Sequence, residues 1–214
     1  MRVKVCGVTT AADAALVARM GADAVGVLVG LAHPSEDELD AEGARAVVAA
    51  LPPFVAATLV THRTEPEEVR RLCHAVHTPV VQLQARVSTD AVAALRAEFP
   101  ALRIVACVHV EDEGALDDAK RIAPHVDGLL LDSRTATRLG GTGVPHDWSI
   151  SRRVRDTLPE TPVILAGGLT PRNVARAIAD VRPYAVDVNS GVSVRRGQKS
   201  PELVEAFIRA AKGR

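Results

Sequence analysis

Short β-branched runs alternate with amphipathic stretches along the whole chain, and that rhythm limits the folds open to it. The runs begin at Val3, Asp23, Phe54, Val80, Leu102, Asp127, Val163 and Ala185. Helix-like segments lie between them, near residues 11–20, 37–50, 65–76, 88–98, 113–122, 149–158, 171–180 and 201–212. Pro66, Pro171 and Pro201 stand in first-turn positions behind Thr64, Thr170 and Ser200, an arrangement favoured at helix starts. Eight strands alternating with eight helices call for parallel sheet, and the count suits a closed barrel. The expected fold is a single-domain (β/α)8 TIM barrel over residues 1–214. An open doubly wound sheet is the alternative, but no glycine-rich dinucleotide fingerprint follows the first strand.

The chain has 214 residues, a length that α/β barrels often reach as one unit. Its 26 basic and 26 acidic side chains balance, so neither a nucleic-acid nor an anionic-membrane partner is expected. Aromatics are only 2%, too few for a base-stacking surface. No apolar run approaches the roughly 20 residues of a membrane span. Val3 opens a strand with no basic and apolar leader before it, and the three cysteines are an odd number at no metal-like spacing. A cytoplasmic protein with reduced thiols and no metal is the expectation.

Strand alternation assigns the inward side chains. In Val3-Lys4-Val5-Cys6 the valines suit the helix-facing side, leaving Lys4 and Cys6 inside. The same logic turns Gln82 and Gln84 inward, puts Arg103 and Cys107 on one face of the fifth strand, and pairs Asp187 with Asn189 on the eighth. Leu129-Leu130-Leu131-Asp132 closes the sixth strand with a carboxyl. Polar groups at the C-terminal ends of barrel strands are where active sites of this fold lie. Cys6 and Asp132, open to one mouth, form a candidate base and acid pair.

The sequence Ile164-Leu165-Ala166-Gly167-Gly168-Leu169-Thr170-Pro171 reads as strand, glycine turn and capped helix start. Asn189-Ser190-Gly191-Val192 follows the last strand. Loops after strands seven and eight of a barrel commonly hold phosphate with backbone N–H groups. Gly167, Gly168, Asn189, Ser190 and Gly191 are therefore candidate phosphate residues. Gly141 and Gly143, in Gly140-Gly141-Thr142-Gly143 after the sixth strand, join them as a segment able to fold over a ligand. Arg195 and Arg196 stand beside the last of these loops.

An ordered set now carries a resemblance: Lys4-Val5-Cys6-Gly7-Val8-Thr9, Val81-Gln82-Leu83, Leu130-Leu131-Asp132, Gly140-Gly141-Thr142-Gly143 with Asp147-Trp148, Leu165-Ala166-Gly167-Gly168-Leu169, and Asp187-Val188-Asn189-Ser190-Gly191-Val192. Over nearly the whole chain this closely resembles the phosphoribosylanthranilate isomerases of tryptophan biosynthesis. The resemblance implies a (β/α)8 barrel without a cofactor that converts an N-(5-phosphoribosyl) aromatic amine into the aminoketose phosphate, an Amadori rearrangement. It makes Asp132 the general acid that opens the ribose ring and Cys6 the general base that takes the C2 proton. An acid must hold its proton near neutral pH, which desolvation favours. A thiol of ordinary pKa near 8.5 becomes a base if nearby positive charge lowers it, and Lys4 is the candidate for that charge.

The departures cluster at one end. The family shows Ser-Pro-Arg after the second strand, and its arginine receives the anthranilate carboxylate. Here Gly30-Leu31-Ala32-His33-Pro34-Ser35-Glu36-Asp37 puts Ser35 in the arginine place. Gln84-Ala85 replaces a His-Gly pair, and the last loop reads Asn189-Ser190-Gly191-Val192-Ser193 instead of Ser-Ser-Gly-Val-Glu. Gln82, Gln84, His33 and Arg103 are the expected amine-side residues, with His33 or Arg86 as stand-ins for the arginine. The expectation is a small-molecule phosphosugar enzyme, monomeric or homodimeric, with altered amine recognition. A paralogue acting on another phosphoribosylated amine or phosphosugar, and a non-catalytic phosphate-binding barrel, are the alternatives.

Overall fold

The computed structural model describes residues 1–133, 147–195 and 197–213. Eight parallel strands close a barrel in sequence order: β1 (Arg2–Val5), β2 (Ala24–Leu28), β3 (Ala56–Thr61), β4 (Val80–Leu83), β5 (Arg103–Val110), β6 (Gly128–Ser133), β7 (Val163–Leu165) and β8 (Ala185–Val188). β8 pairs back onto β1, with Lys4 opposite Asp187. The helices are α1 (Ala11–Arg19), α2 (Ala41–Ala49), α3 (Pro66–Val76), α4 (Thr89–Glu98), α5 (Gly114–Ile122), α6 (Trp148–Thr157), α7 (Val174–Val181) and α8 (Pro201–Lys212). A short antiparallel hairpin, β9 (Ser193–Arg195) with β10 (Gln198–Lys199), precedes α8. No helix among the described residues is long and apolar enough to cross a membrane.

The alternating pattern divides the barrel into two apolar zones. Val3, Val5, Leu59, Val81, Ile104, Leu129, Leu131 and Leu165 belong to one large core with Val17, Val47, Leu95, Val154 and Phe207 of the helices. The opposite faces form smaller inner clusters, Cys6 with Leu28 and Val60, and Cys107 with Leu130.

Three helix starts differ from the expectation for local reasons. α2 begins at Ala41 behind Asp40, whose carboxylate accepts from the Gly43 amide at 2.7 Å, so Asp37 is released to the site below. α3 has Pro66 at its first position, but the residue before it is Glu65, without a side-chain cap. α7 starts at Val174, because Asn173 ties the preceding turn. Its side chain accepts from the Thr170 amide at 2.7 Å and donates to the Gly168 carbonyl at 2.9 Å. The Ser200-Pro201 start is as expected, Ser200 Oγ accepting from the Leu203 amide.

Candidate active site

A cavity of about 820 Å³ opens at the C-terminal ends of the strands. Its walls include Cys6, Gln82, Gln84, Asp132, Asp187, Gly167, Gly168, Asn189, Ser190, Gly191 and His33. The base and acid candidates thus face one space, as alternation from β1 and β6 requires. Gly26 leaves room for the thiol, since a Cβ there would lie 2.8 Å from Cys6 Sγ.

A buried polar chain crosses the floor. Lys4 Nζ donates to Asp187 Oδ2 at 2.9 Å and to Gln82 Oε1 at 3.0 Å. Gln82 Nε2 donates to Gln84 Oε1 at 2.7 Å, and Gln84 Nε2 to Asp132 Oδ2 at 3.1 Å. The other Asp187 oxygen, Oδ1, is buried and has no hydrogen-bond partner among the described residues. Burial pushes the Asp132 carboxyl up to about 7, helped by the negative charge of Asp187 and opposed by the Gln84 donor and Lys4. It therefore holds its proton near neutrality. Lys4 stays charged: burial pulls its ammonium down, and Asp187 more than offsets this.

The thiol departs from the expectation. Burial raises Cys6 above its ordinary value, and the Lys4 charge only partly counters it. The reason lies in the Lys4–Asp187 contact, which places a negative charge beside the positive one. Asp187 itself works against the thiolate.

After β7, Gly167 and Gly168 adopt φ of 82° and 66°, a region that glycine enters at little cost. A Cβ on Gly191 would lie 1.9 Å from the Leu169 carbonyl oxygen, so the seventh and eighth loops touch through bare backbone. Ser190 opens a single turn, Ser190–Val192. Asn189 lines the cavity, but its side chain is engaged: Nδ2 donates to Asp37 Oδ2 at 2.9 Å and Oδ1 accepts from Lys199 Nζ at 2.7 Å. Gly141, Gly143 and Arg196 lie outside the described residues. Arg195 reaches the rim, with Nε on Gln198 Oε1 at 3.0 Å.

Sequence reasoning missed Asp37 and Lys199, both buried beside Asn189. The helical pattern near residues 37–50 takes in Asp37, and Lys199 gains its position only from the β9–β10 hairpin. The signal that did exist was Gly7, where a Cβ would meet Asn189 Oδ1 at 2.6 Å.

The amine end corrects two expectations. Arg103 is the first residue of β5, so it stands at the far end of the barrel, where Nη1 pairs with Asp127 Oδ1 at 3.0 Å. Its strand parity was right, but its height along the barrel excludes it from the cavity. Arg86 turns outward to Asp118 at 3.7 Å. Leu28, Leu31, His33, Pro34, Ser35, Val60 and His62 line this end. His62 Nδ1 accepts from the Ala32 amide at 2.9 Å, so its proton is on Nε2. Burial lowers the His62 pKa, with His33 adding to the shift.

Cys107 faces the barrel interior beneath the cavity, with Sγ 3.8 Å from His109 Nδ1. Together with Asp132 these two place metal-type donor atoms within 4.8 Å of one another. Hydrogen bonds already link the group, since His109 Nε2 meets the Gln84 carbonyl and Gln84 holds Asp132.

A model of the N-(5'-phosphoribosyl)anthranilate isomerases matches residues 3–210. The chain belongs to that family. It is 40% identical over 214 residues to N-(5'-phosphoribosyl)anthranilate isomerase 2 of Methanosarcina mazei, covering 99% of this chain and 94% of the relative. It is 43% identical over 211 residues to the Haloferax volcanii isomerase, covering 99% and 93%. Among solved structures, the Thermotoga maritima isomerase superposes with a TM-score of 0.89 at 34% identity, each chain fully covered. A phosphoribosylanthranilate isomerase in complex with reduced 1-(o-carboxyphenylamino)-1-deoxyribulose 5-phosphate gives 0.86 at 33% identity, again with full coverage of both chains. Phosphoribosylanthranilate isomerases are TIM barrels, and the closed barrel here is of that kind.

Proposed function

We propose that this family member isomerises N-(5'-phosphoribosyl)anthranilate in tryptophan biosynthesis. The observation that carries the proposal is the shared cavity of Cys6 and Asp132, bounded at one end by the Gly167-Gly168 and Ser190-Gly191 loops. The phosphate rests on the backbone of those two loops. Asp132 gives its proton to the ribose ring oxygen as the C1–O bond breaks, leaving an iminium between C1 and the anthranilate nitrogen. The Cys6 thiolate then removes the C2 proton, the electron pair moves into the C1–C2 bond, and the resulting enolamine tautomerises to the ketone. The rearrangement is internally redox-balanced and draws on no second reactant. Asp187 Oδ1, buried and unpaired, offers an acceptor to a ribose hydroxyl.

Ser35 at the amine end favours a second reading, a phosphoribosylated amine without the carboxylate. Purified protein mixed with fresh phosphoribosylanthranilate tests the first: its fluorescence should disappear as aminoketose forms. Intact substrate, together with turnover of the decarboxylated analogue, would replace the first reading by the second. Cys6, Cys73 and Cys107 are all buried, which suits the reducing cytoplasm. The enzyme acts as a monomer or homodimer on this phosphosugar.

A further inference from the structure

The polar chain across the floor has a direction, and its source is Lys4. An ammonium only donates, so the Gln82 atom facing it must be the carbonyl oxygen. The Gln82 amide nitrogen then points at Gln84, which must answer with its own oxygen. That leaves the Gln84 nitrogen, a donor, facing Asp132. A glutamine alone could present either end, because its two ends have nearly the same shape. Here a residue two hydrogen bonds away decides.

We propose that Gln84 is a positioning residue for the Asp132 acid, its orientation imposed from Lys4 through Gln82. The proposal rests on Asp132 being the general acid. With nitrogen inward, Gln84 supports the carboxylate that remains once the proton has left, and it leaves the acid proton free for the ring oxygen. With oxygen inward, it would accept that proton in a hydrogen bond and divert it from the substrate. A glutamine does not titrate, so the donor persists at every working pH. The resemblance places a histidine at this position, which would carry its own titration into the chain.

The charged and titratable groups that face Asp132 are Lys4 on β1, Cys107 and His109 on β5, and Asp187 on β8, with Cys6 on the wall of the same cavity. Substituting Gln84 or Gln82 by leucine adds or removes no charge among them, though Gln82→Leu also takes one acceptor from Lys4, which keeps Asp187. The experiment is the pH dependence of kcat/KM for phosphoribosylanthranilate in wild type, Gln84→Leu and Gln82→Leu. Carbon-13 NMR titration of the Asp132 carboxyl in the same proteins reads the group without activity. Gln84→Leu should move the Asp132 titration upward by about one pH unit, and Gln82→Leu should move it in the same direction by less. A titration unmoved in both variants overturns the proposal and leaves the acid assignment standing. Full turnover by Asp132→Asn, in contrast, would remove the acid assignment and the proposal with it.

Discussion

Lys4 Nζ lies 2.9 Å from Asp187 Oδ2, and both side chains are buried on adjoining strands of the barrel. Each offsets the desolvation of the other, so removing one strands its partner. Lys4→Met should lower unfolding stability by about 3–5 kcal/mol, with Lys4→Met/Asp187→Leu recovering much of that loss. Chemical denaturation of both variants measures this. A single variant as stable as wild type would contradict the pairing.

On the proposed assignment the acid has the lower pKa and the base the higher, which sets an unusual pH profile. Asp132 sits at about 7, and the Cys6 thiol lies above its ordinary value. The proposed mechanism needs Asp132 protonated and Cys6 ionised together, so its working form is always a minority. Below pH 7 the thiolate fraction rises with pH while Asp132 stays protonated, and kcat/KM should climb. Above 7 loss of the Asp132 proton cancels that gain, giving a plateau that ends when the thiol is ionised. A profile that falls directly above pH 7 would mean that Cys6 titrates lower than its burial requires.

Gly191 meets the Leu169 carbonyl closely enough that no side chain fits between the loops after β7 and β8, the proposed phosphate loops. Gly191→Ala must push them apart, and a displacement of this order costs on the order of 10²-fold in kcat/KM. Inhibition by inorganic phosphate should weaken in parallel, which steady-state kinetics reads directly.

Arg103→Ala tests the corrected placement. Its guanidinium is exposed at the opposite end of the barrel, so substrate kinetics should be unchanged. The stability loss should be about 0.2–1 kcal/mol, as for other exposed ion pairs. A raised KM would bring Arg103 back to the amine end.

The barrel was legible because the period-two strands and the helical segments recur eight times. Parity places Cys6, Gln82 and Gln84, the strand end places Asp132, and all four line one cavity. Parity gives no height, which is why Arg103 was misplaced at the first residue of β5. Nor does it give the balance of burial against charge: Lys4 is the candidate positive charge beside Cys6, but Asp187, 183 residues away in sequence, shares its field. Asp37 and Lys199 were illegible for the same reason, each defined by the Asn189 side chain between them.

The pairing of Cys6 with Asp132 is tested most directly by turnover of phosphoribosylanthranilate in wild type, Cys6→Ala and Asp132→Asn, each verified as folded by circular dichroism. The account predicts conversion by wild type and a loss of about 10²–10⁴-fold in each variant, the usual contribution of a positioned acid or base. Wild-type rates in either variant would contradict it.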